Sequence, residues 1–133
     1  MPNRSNTLNM LKQRLDADAS ALEIGVLIGS HARGQARADS DWDFAIQWSR
    51  EISDPWEQLK KTEALRQQLA NWLGTSPDQI DLVDIPSARL AIRAAIAEEG
   101  LPLKGDDDLP WFHFLSRTWR ELEEYYWDDI YAA

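Results

Sequence analysis

Residues 29 to 44 read GSHARGQARADSDWDF. A Gly-Ser pair closes the apolar run ALEIGVLI (21–28). Ten residues follow, and Asp41 and Asp43 then open a second apolar run. Two readings compete. The stretch is either a polar loop entering a solvated strand, or half of a metal and phosphate site.

Alternate side chains of a strand share a face. In DWDFAIQW (41–48), Trp42, Phe44, Ile46 and Trp48 therefore form an apolar face that belongs to a core. Asp41, Asp43, Ala45 and Gln47 form the other. The extended rise per residue puts the two carboxylates ~7 Å apart along the strand. Their side chains can converge on a divalent cation. Magnesium suits them, because it takes oxygen ligands and shares itself with substrate phosphates. Gly29 lets the backbone come close to a ligand. The amides that follow, with the Ser30 hydroxyl, can face a phosphate if a short helix starts there. Arg33 and Arg37 stand where they can neutralise phosphate charge. Phosphoryl chemistry wants a further carboxylate, to bridge a metal or take a proton from the attacking hydroxyl. IDLVDI (80–85) offers Asp81 and Asp84 on opposite strand faces, so at most one can join. Asp81, which shares a face with Val83 and Ile85, is preferred, and Asp84 stays as the alternative.

Outward from this stretch, the spacing of Leu8, Leu11 and Leu15 predicts a helix over 6–18, capped by Ser5 or Asn6. ALEIGVLIG reads as a buried strand. Asp54-Pro55-Trp56-Glu57 is a helix start, with Asp54 as cap and proline at the first position. Trp56, Leu59, Leu65, Leu69, Trp72 and Leu73 give that helix its apolar face, and Gly74 ends it. IDLVDI is a third strand. Ser87 caps a helix through Glu99, and Leu101-Pro102-Leu103 is a short extended piece. Trp111, Leu115, Trp119, Leu122, Tyr126 and Ile130 predict a long last helix over about 110–131. The expectation is one mixed α/β (α+β) domain over 1–133: a small mixed sheet flanked by helices, with its core at about 20–105.

Composition narrows the function. The chain has 133 residues, no cysteine and a net charge of −9. No disulfide framework or thiolate zinc site is available. No apolar leader or 18-residue apolar run is present, so neither a signal peptide nor a membrane span is expected, and the default location is cytoplasmic. The acidity disfavours nucleic acid and favours basic partners. From Asp106 onward there are eight acidic residues against two arginines, and eight of the thirteen aromatics. Tyr125, Tyr126, Trp127 and Tyr131 point in too many directions for one helix to bury, so residues 117–131 are expected to meet a partner. His31 is expected to be a solvent-side loop residue, with phosphate contact as the alternative, and His113 receives no role, while Trp72, Trp111 and Trp119 are expected to pack inward.

Gly29-Ser30, ten residues, Asp41-Trp42-Asp43 and then an acid in an apolar strand resemble the DNA polymerase β-like nucleotidyltransferase superfamily. IGSHARGQARADSDWDFAI (28–46) is similar to its small subgroup, the minimal nucleotidyltransferases (MNT), and the similarity covers about residues 20–105. The resemblance implies a nucleotidyltransferase-like fold. It implies magnesium ligation and catalysis by Asp41, Asp43 and, provisionally, Asp81, with Gly29, Ser30 and Arg33 at the phosphates. It further implies an antitoxin that moves AMP from ATP onto a hydroxyl, typically tyrosine, of a HEPN-domain RNase toxin within a hetero-oligomer. Two alternatives stay open: an antitoxin that only masks a basic RNase by binding, and a nucleotidyltransferase acting on a small molecule.

Overall fold

The computed structural model describes residues 3–131. The expected domain ends beyond these, and the side chain of Tyr131, lie outside the described residues. Helix α1 spans Arg4–Asp18. Its cap is Asn3 rather than Ser5 or Asn6: the Asn3 side chain accepts from the Asn6 amide and its carbonyl accepts from Thr7, so the helix starts one turn before the first leucine. Strand β1 (Leu22–Ile28) leads into α2, a single turn at Gly29–Ala32. Strand β2 is Trp42–Trp48, so Asp41 sits one residue before the ladder instead of inside it. Helix α3 (Pro55–Leu73) begins as expected, with Asp54 accepting from the Trp56 amide, and closes on Gly74 at φ 68°. After a short 3₁₀ turn come β3 (Ile80–Asp84) and a second 3₁₀ turn, Ile85–Ser87. Helix α4 starts only at Leu90 and runs to Glu99. Ser87 does not cap it, because its hydroxyl is taken by the Asp84 carboxylate at 2.8 Å. Strand β4 (Leu101–Lys104) and helix α5 (Leu109–Tyr131) complete the chain.

The four strands form one sheet in the order β3-β2-β1-β4. β2 and β3 run parallel, and the other pairs are antiparallel, so the sheet is mixed as expected. Helices cover both faces. On one, Leu11, Leu15, Phe44, Ile46, Leu65 and Leu69 join α1 and α3 to the sheet. On the other, Ala45, Ile85, Ile96, Trp111 and Phe114 join α4 and α5 to it. β1 is apolar apart from Glu23, which accepts a hydrogen bond from the Gln47 side chain, because the strand serves both clusters. A register shift between Leu22 and Ile24 moves the strand's alternation, so Leu22 faces the first cluster while Ile24 and Val26 face the second.

Two helical faces differ from expectation. In α3, Trp56 and Leu59 are exposed. In α5 the inward residues are Trp111, Phe114 and Thr118, and Trp119, about 100° around the helix from Thr118, is exposed. Beyond Leu122 every described side chain of α5 is exposed. Among the described residues no helix is long and apolar enough to cross a membrane.

Candidate active site

The cluster formed by α4 and α5 covers one end of its sheet face, at Ala45, Val83 and Ile85. Two residues earlier on the same side of β2 and β3 stand Asp43 and Asp81. The parallel register sets Asp43 directly opposite Asp81. On its other side Asp43 pairs with Ile28, the last residue of β1 before the Gly-Ser turn. Gly29 has φ +75°, and a Cβ built on it would lie 2.4 Å from the Asp43 carboxylate oxygen Oδ2. Turn and carboxylate are therefore in contact, and a side chain at 29 would occupy the carboxylate's place. Asp84 is turned away. It sits with Ile80 and Leu82 on the alternate side of the strand and holds the Ser87 hydroxyl.

The carboxylates act on one another. Burial raises the pKa of Asp43 first. A side-chain hydrogen bond with Asp81 and repulsion from Asp81 and Asp41 raise it further, while His31 draws it down. Asp41 is thus close enough to be felt, although it is exposed and lies outside the ladder. The donor set suits magnesium: hard carboxylate oxygens whose mutual repulsion a divalent cation relieves. It is not a closed cage. Among the described residues no three acidic or histidine side chains are gathered tightly enough to hold an ion unaided. Such a set fits an ion that brings its other ligands from water and a triphosphate.

The family described as "Polymerase beta, Nucleotidyltransferase" matches residues 9–109. The chain belongs to this nucleotidyltransferase family. The matched span holds the turn, Asp41, Asp43, Asp81 and Asp84 and the whole sheet, and stops where α5 begins. No curated protein sequence matches the chain significantly. Solved structures share its fold. A chain from a toxin–antitoxin crystal structure with AMP-PNP is 23% identical, with 88% of this chain and 87% of that one covered at TM-score 0.65. One from a tri-AMPylated Shewanella oneidensis HEPN toxin in complex with MNT antitoxin is 20% identical, with 92% and 88% covered at TM-score 0.61. One from the toxin–antitoxin MntA-HepT is 23% identical, with 90% and 87% covered at TM-score 0.57. At these identities the likeness is one of fold.

In this nucleotidyltransferase the remaining expected residues are placed unevenly. Ser30 is half-buried in the turn beside Gly29. Arg33 caps α2 and reaches Glu99 of α4 at 3.6 Å, in an exposed pair that contributes under about 1 kcal/mol. Arg37 lines a hollow with Trp42, on the opposite side of the sheet from Asp43. Two residues for which sequence reasoning expected no structural role brace the turn. His31 stacks on Trp42 with ring centroids 3.5 Å apart, and its Nε2 lies 3.2 Å from the Ser40 carbonyl. This ties the turn to the entry of β2. Arg4 of α1 donates to the carbonyls of His31 and Ala32, closing the far end of α2. Nothing local in the sequence signals the Arg4 contact, which spans 27 and 28 residues.

Proposed function

We propose that this protein is a magnesium-dependent antitoxin nucleotidyltransferase that transfers AMP from ATP to a hydroxyl, most simply a tyrosine, of a HEPN-type RNase partner. The observation that carries the reading is the contact of Gly29 with Asp43, which itself lies across the ladder from Asp81. A pure binding module needs no left-handed glycine packed on a carboxylate pair. Family membership supports nucleotidyl transfer. The fold likeness to a complex holding an AMPylated HEPN toxin supports the acceptor class.

Asp41, Asp43 and Asp81 would hold magnesium, which supplies charge neutralisation on the triphosphate and acidifies the attacking hydroxyl. The turn amides and Ser30 orient the terminal phosphates, and Arg33 exchanges Glu99 for phosphate oxygen. The acceptor oxygen bonds to the α-phosphorus as the bond to the β-phosphate oxygen breaks in line. Pyrophosphate leaves, and Asp81 accepts the hydroxyl proton. Intact mass after incubation with ATP, Mg²⁺ and the partner tests this: one or more AMP units should appear on the partner, and none with Asp41→Asn/Asp43→Asn. A tight complex with no mass gain would select the masking antitoxin instead. The exposed, acidic, aromatic end of α5 favours that second reading.

A further inference from the structure

A second concavity lies at the other end of the sheet. It is a groove of about 440 Å³ where β2 runs out into the following loop, under α4 and α5. Its lining includes Trp48, Arg50, Arg93, His113, Phe114 and Arg117, and no carboxylate. The chain carries 23 acidic residues against 14 basic ones, so three arginines and a histidine around one groove run against its overall charge. Trp48 lies five positions after Asp43, or ~16 Å of extended chain, so the groove is distinct from the carboxylate site.

Its cations are held in place and under-compensated. Arg93 is only 6% exposed. Its Nε donates to the Ala88 carbonyl at 3.1 Å, and one terminal nitrogen donates to Glu121. The other terminal nitrogen is buried with no partner among the described residues. Arg117 leans on the same Glu121 at 3.3 Å. One carboxylate therefore serves two guanidinium groups, and the Arg93 hydrogen bond is the main reason its pKa is lowered. Arg50 and His113 have no ion-pair partner among the described residues.

We infer that this groove binds a nucleoside monophosphate, its phosphate among Arg50, Arg93 and Arg117 and its base against Trp48, His113 and Phe114. Planar guanidinium groups match phosphate oxygens in pairs. Flat aromatic faces accept any base by stacking. The volume falls within the range of small-ligand sites, roughly 300–1,000 Å³. The site goes beyond AMP transfer and does not require it.

The chain has two histidines, one beside the catalytic turn and one in the groove, so imidazole NMR signals report on each separately. Full-length protein without divalent cation is titrated with AMP, adenosine, inorganic phosphate and an oligoglutamate peptide. AMP should move the His113 signals to saturation, in wild type and in Asp43→Asn alike. Phosphate should act more weakly, and adenosine and the peptide negligibly. Arg50→Gln/Arg117→Gln, at exposed positions, should weaken AMP by roughly tenfold or more. An unmoved His113, an equal response to adenosine or peptide, or unchanged affinity in the double variant would each overturn the inference. Because Asp43→Asn should keep this response, the result is independent of whether transfer occurs.

Discussion

Gly29 is constrained twice, by a left-handed φ of +75° and by the Asp43 oxygen 2.4 Å from where a Cβ would stand. Gly29→Ala should therefore lower stability by about 1–3 kcal/mol and abolish transfer, as read by melting temperature and by AMP incorporation. Gly74 shares the conformation, at φ +68°, but a Cβ there would meet nothing within 4 Å. Gly74→Ala should leave transfer intact, so any equal loss of activity in the two variants would refute a special role for the turn. Asp43 carries a pH signature. Burial, and then Asp81 and Asp41, hold its folded pKa above the ordinary 3.8. The folded state thus binds that proton more tightly than the unfolded chain, and ionising Asp43 weakens the fold. The penalty is absent below 3.8 and complete above the raised folded value. Asp43→Asn should accordingly melt above wild type at neutral pH, with the gap closing as pH falls toward 3.8. A stability gap that is flat with pH would contradict this.

At the scale of the element, β3 distinguishes two aspartates by their alternation. Asp81 faces Asp43 across the ladder, and Asp84 holds Ser87. Asp81→Asn should remove transfer with little effect on folding. Asp84→Ala should keep transfer and lose only about 0.5–1.5 kcal/mol with the Ser87 hydrogen bond. The reverse pattern would exchange their roles. Helix α5 divides similarly along its length. Its first turns pack through Trp111, Phe114 and Thr118, whereas Tyr125, Tyr126 and Ile130 are each about 60–70% exposed. Where the described side chains of the last turns are mostly exposed, the helix gains little tertiary stability, so Tyr125, Tyr126 and Ile130 present apolar surface to a partner. Tyr125→Ser/Tyr126→Ser should weaken partner binding by about 2 kcal/mol or more in calorimetry without lowering the melting temperature. Unchanged affinity would remove α5 from the interface.

For the whole molecule, the site lies where the apolar cover of one sheet face stops. α4 and α5 protect Ala45 and Ile85, and the neighbouring ends of β2 and β3 stay open with their carboxylates. Charge left uncompensated there should make the fold responsive to cations. Magnesium should raise the melting temperature of wild type more than that of Asp43→Asn, since binding to the folded state alone stabilises it. An equal rise in both would point to ions bound elsewhere on the acidic surface.

Much of this was readable in the chain itself. Period-two alternation in 41–48, Gly-Ser at a strand end and the Asp54-Pro55 helix start are local patterns, and local sterics and hydrogen bonding determine them. So the turn, Asp43 and the order of elements followed from sequence. Which of Asp81 and Asp84 faces Asp43, the inward face of α5, the Arg4 and His31 braces and the arginine groove did not. Each joins residues distant in sequence, through strand register or helix rotation. Only the packed sheet settles those, because pairing and burial are decided jointly by all the elements that compete for the same apolar surface.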